Sequence, residues 1–130
     1  RLSSAVWRRP DLAHDQYLQD AASWVNAGIV DELMPMIYTD KDTQFESDLG
    51  AWYGAVDRKR VLAGIGVYKH TAGAQTLSQA ALGHPRRFVL FAYSSLFESV
   101  NPGQDDTQKA KDERARMRDS ISQFIDRIGR

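Results

Sequence analysis

The sequence predicts an α/β fold with a parallel sheet, built from four strand-plus-helix units. Three observations carry this. Segments 61–68 (VLAGIGVY) and 88–93 (FVLFAY) are apolar at almost every position, as strands covered on both faces are. Amphipathic segments with a period near 3.6 alternate with them. Strands expected to begin near residues 2, 32, 61 and 87 recur at roughly 30-residue spacing, and a (β/α)8 barrel of eight such units runs to about 250 residues.

Residues 2–8 read as the first strand, and Pro10-Asp11 as a break after it. Tyr17, Leu18, Ala21, Trp24 and Val25 then form a helical stripe over 14–27. Gly28 is its expected stop, because glycine enters the left-handed region cheaply. The second strand spans 33–38. Pro35 inside it lacks a ladder donor, so the strand needs a bulge or a close approach there.

Thr43 and Glu46 have the spacing of a capping box. They open a helix over 43–57, with Phe45, Leu49, Trp52 and Val56 as its stripe. The third strand covers 61–68. Its Gly64 and Gly66 share a face that something must approach closely. A weaker helix at 72–82 stops at Gly83. The fourth strand, 88–93, leads through a serine-containing loop to a last helix over 106–128, with Met117, Ile121, Phe124, Ile125 and Ile128 inward.

The chain has 130 residues, with 17 basic and 17 acidic side chains, and no cysteine. No net field draws it to nucleic acid or to an anionic membrane. Arg58-Lys59-Arg60 and Arg86-Arg87 precede strands and read as solvated edge charges. No apolar run approaches the ~20 residues of a membrane span. Thiolate and disulfide chemistry are excluded. His14, His70 and His84 have no ligand spacing, so no metal or other cofactor is expected. Gly64-Ile65-Gly66 lies inside a strand rather than after it, which argues against a dinucleotide fingerprint. The chain opens at Arg1, close to its first element, and so reads as a fragment.

Parallel α/β folds place chemistry where the strands end at their carboxyl side. Trp7, Tyr38, Tyr68 and Tyr93 fall at four corresponding strand ends. Aromatic faces with polar tips suit sugar rings, which offer apolar C–H patches and hydroxyls; the competing reading is that they plug the sheet's end as core. Glycosidic hydrolysis usually needs two carboxyl groups. Asp40, in the polar loop after the second strand, is one candidate. Glu98, beyond the fourth, is the other. Asp42 and Glu46 are better explained by the helix start. His70 is a candidate for substrate binding or proton transfer, against a surface histidine that merely opens a helix.

Segments GIVDELMPMIYTD, AGIGVYKH and RFVLFAYSSLF, in this order and spacing, resemble the glycosyl-hydrolase-like family of bacterial envelope proteins and lipoproteins that includes the YngK-like proteins. Gln19-Asp20, Trp24, Asp31 and Met34-Pro35-Met36 are similar to its "QDW…W…G.iD…PM.Y" pattern. The resemblance covers nearly the whole chain. It implies a glycan-cleaving (β/α)8 barrel, acting in some members on peptidoglycan strands stripped of peptides. It implies that residues 1–130 are the carboxyl-terminal half, strands five to eight, of an envelope or secreted enzyme. The family's acidic motif at strand four would then lie in the missing half, and the isolated chain would show little hydrolysis. The rival expectation is a self-contained α/β module that binds sugar or serves a structural role without catalysis. A half barrel also leaves two strand edges and an inner face with Met36, Tyr38 and Phe91 uncovered, so self-association is expected.

Overall fold

Residues 1–84, 86–97 and 106–129 are described by a computed structural model. In chain order they form β1 (Ser3–Val6), α1 (Pro10–Tyr17), α2 (Ala21–Asn26), β2 (Glu32–Ile37), α3 (Asp42–Ala55), β3 (Ala63–Gly66), α4 (Gly73–Leu82), β4 (Phe88–Phe91) and α5 (Gln108–Gly129). The strands make one sheet in the order β1-β2-β3-β4, and every pairing is parallel. The class is α/β, as expected. Right-handed crossovers between sequential neighbours place all connecting helices on one face. A doubly wound sheet would need a reversal of strand order, and the described strands have none. In keeping with this, α1 touches α3, α3 touches α4 and α4 touches α5.

Period-two alternation sorts β2. Leu33, Pro35 and Ile37 are buried, whereas Met34, Met36 and Tyr38 are half-buried on the other side. Leu33, Ile37, Ala63 and Ile65 meet Phe45, Leu49 and Trp52 of α3 in the main core. Phe45 and Trp52 are fully buried, each contributing on the order of 3 kcal/mol by area.

A carboxylate also sits on this apolar stripe. Asp48 is fully buried. It accepts from Gln44 Nε2 at 2.8 Å and Arg8 Nη1 at 3.4 Å, and Arg9 Nη1 lies 3.6 Å away. Trp52 Nε1 donates to the Arg8 carbonyl at 3.0 Å. The end of β1 is thereby tied to α3, across 40 residues of chain.

Several local expectations are corrected. The helix expected over 14–27 is two helices. Pro10 does not break the chain but opens α1, where its missing N–H costs nothing. Leu18, at φ 55°, ends that helix, and Gln19 N–H closes back on the Ala13 carbonyl at 2.9 Å. Gly28, at φ 73°, follows α2 as expected. The capping box does not form: α3 starts at Asp42, so Thr43 lies inside the helix and its N-cap Lys41 makes no side-chain cap bond. Asp42 instead accepts from Ser78 Oγ of α4 at 2.5 Å. The edge arginines are not merely solvated. Arg58 donates to the Gly83 carbonyl at the end of α4 and Arg60 to the Val25 carbonyl in α2, at 3.1 and 3.0 Å. Both guanidinium groups sit at helix carboxyl ends, where a cation is favoured; the Val25 carbonyl is shared with Gly28 N–H at 3.0 Å.

Pro35 is kept in a central strand by a glycine. The β2–β3 ladder pairs Leu33 with Val61 and Met36 with Gly64, on either side of the missing donor. A Cβ on Gly64 would lie 2.6 Å from the Pro35 carbonyl oxygen, a backbone atom that cannot rotate away. Gly64→Ala is therefore expected to lower stability by about 1–3 kcal/mol through overpacking. Urea unfolding checks this; an unchanged midpoint would contradict the packing.

Candidate functional site

The parity of β2 carries Tyr38 to the face opposite the helices, at the carboxyl end of the sheet. The neighbouring positions of β3 on that face are Gly64 and Gly66. A Cβ on Gly66 would sit 2.8 Å from Tyr38 Cβ, and one on Gly64 3.5 Å from Tyr38 Cε1. The close approach that the glycines announce is thus made by the protein's own tyrosine. Its ring crosses β3 and stacks on Phe91 of β4, with centroids 5.0 Å apart and planes 8° apart. Tyr68 stands edge-on to both, at 6.0 Å from Tyr38 and 6.2 Å from Phe91. Lys69 Nζ lies 5.1 Å from the Tyr68 ring centre, within cation–π range. Tyr68 and Phe91 remain 51% and 48% exposed, so the three rings offer an open aromatic surface. Burial, and secondarily Tyr68, hold the Tyr38 phenol above its ordinary pKa of 10.0.

Asp40 follows immediately, exposed in the bend after β2. The turn that carries it is fixed from below. The Thr39 carbonyl accepts from His70 Nε2 at 3.1 Å and from Gln79 Nε2 at 3.0 Å. Thr39 Oγ1 accepts from the Lys41 N–H at 3.1 Å. His70 is therefore neither a surface histidine nor a side chain pointing at solvent. It is 8% exposed, and its Nδ1 is 2.8 Å from Thr76 Oγ1. The carbonyl opposite Nε2 can only accept, so Nε2 carries hydrogen. With both ring nitrogens engaged, His70 braces the Asp40 turn, and it also lines a cleft beside Tyr68.

The remaining sequence candidates separate. Trp7 packs on Tyr17 at 4.2 Å, and its backbone N–H donates to Gln19 Oε1 at 2.9 Å. Tyr93 is 67% exposed and stacks on Phe97 at 4.6 Å, in a separate pair. Glu98 lies outside the described residues. The structure thus joins Tyr38 and Tyr68, adds Phe91 to them, and sets Asp40 one residue beyond Thr39. The glycines on β3 signalled a close approach in the sequence; that the approaching group is the Tyr38 ring, stacked on Phe91, comes from the structure. Beside Tyr68, a cleft of about 390 Å³ runs between the turns after β3 and β4 and helix α5, with Thr71, Ser94, Ser95 and Glu113 in its wall. Among the described residues no group of three His, Asp or Glu is placed to hold a metal ion, and no helix is long and apolar enough to cross a membrane.

The raised phenol pKa of Tyr38 has a testable sign. Its neutral form is favoured in the folded state, so that stabilisation is present below pH 10 and is lost as pH rises beyond it. A spectrophotometric titration of the wild type minus that of Tyr38→Phe should centre above pH 10; a difference centred at or below 10 would contradict the burial argument. In comparison with known proteins, the chain matches no family model, no curated protein and no solved structure.

Proposed function

We propose that the chain is the carboxyl-terminal half of a (β/α)8 barrel whose aromatic face binds a glycan, within a glycoside hydrolase of the bacterial cell envelope or a secreted one. The observation that carries this is the Tyr38–Tyr68–Phe91 surface at the carboxyl end of a singly wound parallel sheet, with Asp40 at its rim. Sugar rings stack their C–H faces on such rings, and the two phenol groups can exchange hydrogen bonds with hydroxyls. Chemistry in barrels gathers at this end. The resemblance supports a polysaccharide substrate and, more narrowly, peptide-free peptidoglycan strands.

In this reading Asp40 supplies one of the two carboxyl groups that hydrolysis needs, and Glu98 is the candidate for the other. Tyr38 and Tyr68 hold the sugar, with Trp7 and Tyr93 as outlying contacts. His70 acts indirectly by fixing Thr39. The second reading, a carbohydrate-binding module without catalysis, is favoured by one specific point. Binding needs only the aromatic surface, which the described residues assemble, whereas cleavage needs a second carboxylate held in geometry with the first.

Titration of the chain with β-1,4-linked N-acetylated oligosaccharides, followed by NMR, tests the shared part of both readings. Shifts should concentrate at Tyr38, Asp40 and Tyr68, and Tyr68→Ala should weaken binding by roughly three- to tenfold, the worth of one aromatic contact. Absence of binding, or shifts confined to the helices, would sink both. Release of reducing ends by the whole barrel, lost in Asp40→Asn, would select the hydrolase reading, whereas robust turnover by residues 1–130 alone would contradict the half-barrel proposal.

A further inference from the structure

The cleft beside Tyr68 has a chemistry of its own. Val67 and Met117 are buried beneath it and make its lining partly apolar. Its walls carry the hydroxyl groups of Thr71, Ser94 and Ser95 and the carboxylate of Glu113. The guanidinium that lines it is already committed. Arg114 Nη2 donates to Asp106, and Lys111 Nζ lies 3.4 Å from the other oxygen of that carboxylate. Glu113 is less engaged. Lys109 Nζ is 3.9 Å away, but both side chains are largely exposed. That pair is screened by solvent, and the carboxylate keeps its capacity to accept. Such a wall repels anions and receives hydroxyl donors. Pockets for small ligands run to about 300–1,000 Å³. At about 390 Å³ this cleft stands at the small end, with room for one sugar ring rather than a chain. Tyr68 belongs both to the cleft and to the ring cluster, so the two are contiguous.

We propose that this cleft is a second sugar subsite. It takes one neutral sugar residue beside the residue stacked on the rings, and it discriminates against acidic ones. Glu113 accepts from hydroxyls of that residue, and Thr71, Ser94 and Ser95 exchange hydrogen bonds with the others. Its C–H face rests on Val67 and Met117. An acidic sugar there would set a carboxylate against Glu113, and like-charge juxtaposition is a common means of excluding a wrong ligand. The glycan accordingly runs from the Tyr38–Phe91 stack over Tyr68 towards α5. The subsite rests on the glycan reading and adds to it a direction, a minimum length and a charge preference.

Calorimetric and NMR titrations with N-acetylated β-1,4-linked di- and tetrasaccharides test it, beside a tetrasaccharide of alternating uronic acid. The neutral tetrasaccharide should bind more tightly than the disaccharide and than the acidic tetrasaccharide. It should shift Thr71, Ser94 and Glu113 as well as Tyr68. Glu113→Gln, an isosteric change on an exposed helix position, should weaken the neutral tetrasaccharide by about three- to tenfold, the loss of one charge-assisted hydrogen bond. It should also narrow the gap to the acidic one, and Ser94→Ala should weaken the tetrasaccharide without affecting the disaccharide. Equal affinity for both lengths, tetrasaccharide shifts that stop at Tyr68, or an affinity that Glu113→Gln leaves unchanged would overturn the subsite while the ring platform stands. Binding of neither length would remove the platform reading and the subsite with it.

Discussion

The open face of the sheet depends on a ring laid over two glycines. Tyr38 can cross from β2 to β4 only because β3 presents no side chain beneath it: any Cβ at Gly66 would lie 2.8 Å from Tyr38 Cβ. The stack on Phe91 that results is worth about 0.5–1.5 kcal/mol beyond the area it buries. Its structural effect is larger than that figure. With an ordinary side chain at position 66, Tyr38 would be driven outward and the face would lose its shared aromatic plane. The same strand meets the Pro35 carbonyl at Gly64. Two glycines therefore reconcile a proline in a central strand with a tyrosine at its end.

The helical side is held by different means. Around the apolar core of α3, the buried Asp48 gathers Gln44, Arg8 and Arg9. Its arginine partners are partly exposed, with side chains 42% and 30% accessible. The ion pairs are accordingly screened by solvent, and the firm part of the arrangement is the Gln44 bond and the packing of the stripe. At the amino-terminal end of the sheet, Arg58 and Arg60 reach helix carbonyls in α4 and α2. Each strand-plus-helix unit is thus tied to its neighbours by long side chains, while the core fixes the layers.

Strand number, direction and order were readable from the apolar runs and their spacing, but the double burial expected of both runs holds only for β3. Strand β4 is half-buried to exposed, because one face of the sheet is open. The break between α1 and α2 was not readable. Tyr17, Leu18, Ala21 and Trp24 keep helical spacing across it, and the left-handed residue is a leucine, without the glycine that normally announces such a turn. That turn places Tyr17 against Trp7 and so removes Trp7 from the aromatic cluster expected of it. Asp48 was readable in principle, since it lies on the Phe45–Leu49–Trp52 stripe. The burial of His70 was not: its partner, the Thr39 carbonyl, lies 31 residues away. Local pattern records a residue's own element, and contacts between loops leave no periodicity.

That long-range contact decides what the rim of the sheet can do. A carboxylate on a free loop would sample many positions, and effective catalysis or recognition requires one. Asp40 is exposed, but the residue before it is held through its carbonyl by His70 and Gln79 and through its hydroxyl by Lys41 N–H. On the other side of Thr39, Tyr38 is pinned between the glycines and Phe91. The backbone of Tyr38-Thr39-Asp40 is therefore held in fixed relation to the aromatic rings, with His70 as one of its braces. Under the proposed glycan reading, a sugar on these rings would meet Tyr38, close in sequence to Asp40, and hydrolysis would still need a second carboxyl group.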